Sequence, residues 1–217
     1  SPKFFNNYYN KIYLKNLKKI NLFFLNYKNR FIGKDYYHFL IKSYSKTKLI
    51  FSKKEICNYF NWNYNKPIVI ILAHEFTDGN LGNKWNIFEN DMFWLKETLQ
   101  KISSIKNINW IIKPHPSENI YNSKIKTSHL VEKYCATKNF IKLLPDNLKI
   151  KNIDKIYDYA VTSHGSAGFE FPSLGIPTII CGDTPYSSLG FTIEPKTKKR
   201  YFKILNNIKK IKKNNYF

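Results

Sequence analysis

Short apolar runs alternate with longer amphipathic stretches from residue 66 to the end of the chain. Each run has the length of one strand, and its continuous apolar character is typical of a strand buried on both faces of a parallel sheet. The pattern predicts strands at 68–72, 109–113, 140–142, 159–162 and 178–181, and helices at 90–105, 128–137, 150–156, 167–174 and 198–213. This order predicts an α/β fold, a doubly wound, Rossmann-like parallel sheet of about five strands.

Residues 1–65 have a different pattern. Apolar residues between positions 7 and 28 recur at roughly helical spacing, and 53–60 has the pattern of another short helix. We therefore predict a helical N-terminal segment at 1–65 and an α/β domain with a C-terminal helix at 66–217. The segment could pack on a neighbouring domain or lie on a membrane surface, and the even spread of its charge favours packing.

The composition indicates anionic partners. The chain has 217 residues and a formal net charge of +21, almost all of it from lysine. A nucleic-acid-binding protein is suggested by this charge alone, without a recognisable motif, and we do not favour it. Lysines spread over the whole surface fit phosphates, an acidic polysaccharide or an anionic membrane face.

Other features bear on the compartment and on the extent of the chain. The three cysteines, at positions 57, 135 and 181, have no metal or redox spacing and fit a reducing compartment such as the cytoplasm. No apolar run reaches the roughly 18 residues of a spanning helix. The sequence begins with Ser-Pro, so we expect it to be a piece of a longer protein.

Polar loops follow three of the predicted strands. They contain His74 and Asp78, Lys113 and His115, and His164 and Ser166. Because the carboxyl ends of parallel strands share one edge of the sheet, these loops are expected to converge there, where open α/β folds bind ligands. No glycine-rich dinucleotide motif, Walker loop or Cys/His metal spacing is present, so we expect no metal and no cofactor.

The loop with His115 is suited to a phosphate ligand. The imidazole lies between two prolines that restrict its backbone, and Lys113 is close in sequence. His115 could donate a hydrogen bond to a phosphate oxygen or protonate a departing phosphate. The alternative is that Pro-His-Pro simply ends a strand, and from the residues alone the two are evenly balanced.

The turn before the helix at 167–174 is the second candidate phosphate contact. Gly165 allows a close backbone approach, and the Ser166 hydroxyl lies at the start of a helix whose N–H groups can bind an anion. An ordinary helix cap by Ser163 or Ser166 is the alternative. His164 could simply shape this turn.

Two further roles stay open at the level of sequence. Glu170 lies one turn into the same helix and could bind ribose hydroxyls, or it could be a surface carboxylate. His74 and Asp78 are the best general-base candidates, although such residues often only order a loop.

The motifs together resemble a known group of enzymes. Lys113-Pro-His-Pro116 is followed, 49 residues after His115, by His164-Gly-Ser-Ala-Gly-Phe-Glu170 and then Gly175-Ile-Pro177. This pattern resembles the nucleotide-sugar half of GT-B glycosyltransferases, and within them the bacterial capsule polysaccharide biosynthesis group, which includes transferases of 3-deoxy-manno-octulosonate. The Gly182…Tyr186…Gly190-Phe-Thr192 continuation and the loop from His74 to Asp78 agree with it. The resemblance covers roughly residues 66–205.

The resemblance implies a donor domain of the GT-B type. His115 and Ser166, with Pro116, Gly165 and His164 around them, would bind the phosphates of a nucleotide sugar, such as a CMP-sugar, without a cofactor. Glu170 would bind ribose, and Lys113 stands where some members have arginine. The acceptor would be a polysaccharide or glycolipid, in the cytoplasm or, as a peripheral protein, at the inner face of the membrane. A GT-B enzyme also needs an acceptor domain, and 1–65 is too short and too helical to be one.

Alternatives remain from the sequence alone. Within the same fold they are a polyol-phosphate transferase of the CDP-glycerol type and a nucleotide-sugar epimerase. From another class, a truncated module could bind nucleotide or polysaccharide without catalysis.

Overall fold

The computed structural model describes residues 48–76, 86–121 and 123–212. The strands are β1 (Lys48–Ile50), β2 (Ile68–Leu72), β3 (Asn109–Lys113), β4 (Ile141–Leu143), β5 (Leu148–Ile150), β6 (Tyr159–Thr162) and β7 (Thr178–Ile180). The helices are α1 (Lys53–Phe60), α2 (Asp91–Ile102), α3 (Ser117–Ile120), α4 (Thr127–Cys135), α5 (Ile153–Ile156), α6 (Ala167–Ser173) and α7 (Lys198–Asn206), followed by a 3-10 turn at Ile208–Lys210. The predicted helix near 7–28 and the candidate base Asp78 lie outside these ranges.

Five strands form one parallel sheet in the order β4-β3-β2-β6-β7. Within this sheet, the chain first forms the central strand β2 and continues outward with β3 and β4. It then returns to form β6 and β7 on the other side of β2. The strand order therefore reverses between β2 and β6, which is the arrangement of a doubly wound sheet. The predicted fold class is confirmed.

Apolar residues on both faces of the strands build two cores. On β2, Val69 and Ile71 join a cluster with residues of α2, α4 and α7, whereas Ile68 and Ile70 join a second cluster with residues of α1, α5 and α6. Successive strand residues point to opposite faces, so a continuous apolar run fills both cores at once. Helices on both faces exclude water from the sheet and leave its edges and strand ends for polar chemistry.

Local sequence determines where the main helices begin. Asn90 accepts a hydrogen bond from the backbone N–H of Phe93, and this cap starts α2 at Asp91. Thr197 caps α7 in the same way, and Ser52 forms a capping box with Glu55 in front of α1. Such caps satisfy N–H groups that have no partner inside the helix.

The structure differs from the sequence pattern in β1, a strand inside the predicted helical segment 1–65, in α3, which the pattern does not predict, at β5 and at the C-terminus. Residues 148–150 form β5, paired with β1 in a separate two-stranded parallel sheet, and the helix predicted at 150–156 is only α5. The predicted C-terminal helix ends at Asn206 and continues as the 3-10 turn. At Ile150, pairing with a strand about 100 residues away overrides the weak helical pattern.

Residues 48–60, which the sequence pattern placed with the N-terminal segment, pack on the α/β unit. Ile50, Ile56 and Cys57 are buried in the same cluster as Ile68 and Ile70 of the central strand. Within the described ranges, no helix has the length and apolar character needed to cross a membrane.

Candidate functional site

The three polar loops meet at the point where the strand order reverses. The ring of His74, after β2, lies 4.0 Å from the ring of His164, after β6, and 6.2 Å from the ring of His115, after β3. These are distances between ring centroids. The convergence predicted from the sequence is confirmed, and it occurs where doubly wound sheets bind their ligands.

His74 forms the centre of this group. Its Nε2 lies 2.8 Å from the His164 carbonyl oxygen and 2.9 Å from the Thr162 hydroxyl. Because a carbonyl can only accept, we assign the proton to Nε2, which leaves Nδ1 with a lone pair. Burial, followed by the neighbouring charge of His164, lowers the pKa of His74 from 6.5 to about 4. The imidazole is therefore neutral at pH 7.

His115 offers a donor from the next loop. The backbone N–H of Ser117 donates to its Nδ1 over 3.3 Å, so the ring proton of the neutral form belongs on Nε2. Pro116 follows directly and occupies the cap position of α3, without a capping hydrogen bond. The loop thus fixes both the backbone and the tautomer of His115, and an imidazole N–H group is of the kind that binds phosphate oxygens.

Gly165 is required by its conformation and by its neighbour. Its φ is +89°, and a Cβ atom there would lie 2.9 Å from Cε1 of His74. Its carbonyl accepts hydrogen bonds from the N–H of Gly168 and from the hydroxyl of Tyr186. The sequence predicted close ligand approach at Gly165, and the structure adds a close approach by His74.

The serine hydroxyls of the turn are not helix caps. Ser166 occupies the cap position of α6 but makes no capping hydrogen bond, and it is exposed. The Ser163 hydroxyl donates instead to the carboxylate of Asp91. The alternative in which either serine caps the helix is therefore wrong. Because α6 makes only about two turns, we assign anion contacts to side chains and not to the dipole of this helix.

Lys113 and Glu170 lie near enough for the charge of Glu170 to act on the Lys113 ammonium group. Lys113 is exposed at the end of β3, yet enough protein surrounds its ammonium group for desolvation to lower its pKa. The carboxylate of Glu170 opposes this change and raises the pKa. Glu170 is partly buried in α6. A positive and a negative group therefore border the loops that hold the histidines.

Asp91 is the site residue that sequence reasoning missed. It is 4% exposed, and its Oδ2 lies 3.0 Å from Nε2 of His164 while Oδ1 accepts from Ser163. Burial alone would raise its pKa, but the hydrogen bond from His164 and the nearby imidazoles hold the pKa below its ordinary value. Asn90-Asp91 is an ordinary helix start in sequence, so no local signal connects it with residues 72 and 73 positions later.

Among the described residues, one cluster has the chemistry of a metal site. His74, Asp91 and His164 each offer a ligand atom, and these atoms lie within 4.8 Å of one another. Hydrogen bonds among these groups already explain why they are close. A cation here would have to replace the hydrogen bond between His164 and Asp91.

No family model and no curated protein matches this chain. Solved structures do superpose on it. The UDP-GlcNAc 2-epimerase from Neisseria meningitidis bound to UDP-GlcNAc is 14% identical over 72% of this chain and 40% of its own, with a TM-score of 0.46. The KpsC beta Kdo 2,7 transferase from Thermosulfurimonas dismutans is 18% identical over 62% of this chain and 41% of its own, with a TM-score of 0.42.

A third such structure is the UDP-GlcNAc 2-epimerase from Methanocaldococcus jannaschii in complex with UDP-GlcNAc and UDP. It is 14% identical and covers 74% of this chain, with a TM-score of 0.44. The chain spans 40–43% of the length of these three structures.

Proposed function

We propose that this chain is the nucleotide-sugar-binding part of a GT-B type glycosyltransferase, which transfers a sugar from a nucleotide donor, such as a CMP-sugar, to a surface or capsular polysaccharide. The observation that supports this most strongly is the meeting of His74, His115 and His164 where the strand order reverses between β2 and β6. That crevice is the nucleotide-binding position of doubly wound sheets.

The phosphates of the donor are assigned to side chains of two loops. His115 provides Nε2–H, and Ser166 provides a hydroxyl that is exposed and makes no capping bond. Lys113 adds a positive charge at the end of β3. Fixed donors around a departing phosphate stabilise the charge that develops as the glycosidic bond breaks. Glu170 is assigned to the ribose hydroxyls, opposite Lys113.

His74 is assigned to acid–base chemistry as a weak base. With a pKa of about 4 it is neutral at pH 7, so Nδ1 can accept a proton but holds it weakly. Asp78 is the second candidate base and stays a prediction. The acceptor, a polysaccharide or glycolipid, and peripheral association with the membrane belong to the same proposal.

Calorimetric titration with CMP, CDP, UDP and GDP tests the proposal. We expect one nucleotide to bind selectively, and His115→Ala and Ser166→Ala to weaken its binding by about 10- to 100-fold, the value of a hydrogen bond to a charged group. His129→Ala and Ser173→Ala are matched controls, because His129 is exposed on α4 and the Ser173 hydroxyl binds the Glu170 carbonyl at the far end of α6.

Equal binding of all nucleotides by all variants would contradict the proposal, because it would show association with surface lysines. Selective binding of UDP, together with isomerisation of a UDP-sugar in the absence of any acceptor, would instead identify an epimerase.

A further inference from the structure

The carboxylate of Asp91 connects α2 to two consecutive residues of the turn after β6. One oxygen accepts from the Ser163 hydroxyl and the other lies 3.0 Å from Nε2 of His164. The carboxylate is 5% exposed, whereas the His164 side chain is 24% exposed. The buried acid thus lies behind a ring that reaches solvent at the site.

The geometry fixes which nitrogen of His164 is available. A carboxylate has only acceptor atoms, so the hydrogen bond to Asp91 requires the proton on Nε2. Nδ1 has no hydrogen-bond partner within residues 48–76, 86–121 and 123–212. The His74 ring packs at 4.0 Å, and the His164 carbonyl accepts from His74 and Thr162. Neighbours therefore hold both the ring and the backbone of His164.

We propose that Asp91 is a positioning residue, which holds the His164 imidazole so that Nδ1 binds a phosphate group at the turn. This inference rests on the proposed function, because it names a further contact of the same nucleotide phosphate. The neutral Nε2–H ring has only a lone pair at Nδ1, so phosphate binding requires Nδ1 to take up a proton from solvent or from the phosphate monoanion. In the resulting imidazolium form both nitrogens donate, Nε2 to Asp91 and Nδ1 to a phosphate oxygen. Carboxylate, imidazolium and phosphate then alternate in charge. The buried carboxylate of Asp91 keeps its hydrogen-bonded partner before and after phosphate binds.

Histidine ring NMR tests this directly. The chain has five histidines, so a protein with ¹⁵N-labelled histidine gives few ring signals, and His164→Gln assigns the one of interest. We expect His164 in the wild type to be the Nε2–H tautomer and its Nδ1 signal to move on titration with inorganic phosphate. Asp91→Ala should lose the single tautomer and weaken the phosphate response by about tenfold.

Two more variants separate positioning from folding. Asp91→Asn keeps the shape and an accepting oxygen but removes the charge, so it should keep the tautomer and weaken phosphate by only a few-fold. Asp154→Asn removes a carboxylate from the exposed first turn of α5 and should change neither signal. If Asp91→Ala does not fold, the phosphate response of Asp91→Asn decides: a few-fold loss supports the inference, and an unchanged response in a folded protein overturns it. A purely structural Asp91 would lower thermal stability and leave the tautomer unchanged.

Each possible outcome separates the inference about Asp91 from its alternatives. A folded Asp91→Ala protein that keeps the His164 tautomer and its phosphate response would overturn the inference. Stoichiometric binding of Zn²⁺ that shifts the rings of His74 and His164 together would overturn it in favour of a cation site. If a nucleotide binds through Ser166 and His115 while His164 does not respond, the inference fails and the proposed function stands. If inorganic phosphate moves His164 through Asp91 but no nucleotide binds, the proposed function fails and the positioning role stands.

Discussion

At the scale of single residues, the imidazole of His74 makes several of the contacts that hold the site together. It donates to the His164 carbonyl, packs against the His164 ring, faces the His115 ring at 6.2 Å and lies next to Gly165. Burial and the neighbouring imidazoles favour the neutral ring, because a second proton would add a buried charge beside them. The surroundings of His74 thus link protonation to the stability of the whole site.

We expect this link to appear as a pH dependence of stability. The folded-state pKa of about 4 lies below the ordinary histidine value of 6.5, so the unfolded chain binds more protons between these values. The contribution of His74 is therefore complete above pH 6.5 and is lost as pH falls toward 4, with a slope of up to about 1.4 kcal/mol per pH unit. Urea unfolding at several pH values should give a flatter profile for His74→Gln than for the wild type. His129→Gln, which removes an exposed ring, should keep the wild-type profile.

Gly165 provides a second test at this scale. Gly165→Ala places a Cβ beside His74 and forces a side chain into φ +89°, so we expect a loss of about 1–2 kcal/mol from strain and at least tenfold weaker nucleotide binding. Gly175→Ala is the control, because Gly175 also has a positive φ, +75°, but follows α6 away from the turn. It should lose similar stability and bind nucleotide normally. Equal binding by both variants would contradict the role of Gly165.

Tyr186 fixes the turn at the scale of elements. Its hydroxyl donates to the Gly165 carbonyl, and its ring lies so close to Gly168 in α6 that a Cβ there would come within 2.1 Å of the hydroxyl oxygen. Burial raises the pKa of Tyr186, which keeps the phenol protonated as a donor. Tyr186, in the segment after β7, thus fixes the conformation of the turn between β6 and α6.

Tyr186→Phe should therefore cost about 1 kcal/mol of stability and weaken nucleotide binding several-fold. Tyr159→Phe is matched to it, since the Tyr159 hydroxyl also donates to a carbonyl, that of Ile211, at the opposite end of β6. Denaturant unfolding should show similar losses for the two variants, and calorimetry should show weaker binding only for Tyr186→Phe. The same nucleotide affinity in both would show that Tyr186 does not shape the turn.

The elements also show what could be predicted from sequence. The bounds of β2, β3 and β6 follow directly from continuous apolar runs, because each such strand must fill two cores. β1 and β5 are short, partly exposed and paired across about 100 residues, so local pattern does not reveal them. Asp91 was missed for the same reason: its partners are distant in sequence, and its helix-start context explains it without them.

At the scale of the molecule, the strand order determines where chemistry is possible. The reversal between β2 and β6 brings His74 and His164 together, although 90 residues separate them. Helices on both faces leave this crevice as the meeting point of the polar loops. The net charge of +21 comes from lysines spread along the sequence, whereas the hydrogen-bond donors of the site are grouped in three loops.

Binding through the distributed surface charge and binding at the site should differ in their response to salt. We expect heparin binding to fall steeply between about 50 and 200 mM salt and to be the same in the wild type and Ser166→Ala, because distributed lysines cause it. Nucleotide binding should fall less over this range and should depend on Ser166. Fluorescence anisotropy with a labelled heparin fragment measures the first, and calorimetry the second. Heparin binding that depends on Ser166 would show that the crevice itself binds polyanions.

The position of the bound phosphate tests the central claim most directly. A crystal structure of the 217-residue chain with its tightest nucleotide should place a phosphate oxygen within hydrogen-bond distance of the Ser166 hydroxyl and Nε2 of His115, in the crevice between β2 and β6. A nucleotide whose phosphates lie on surface lysines, away from all three histidine loops, would contradict the account.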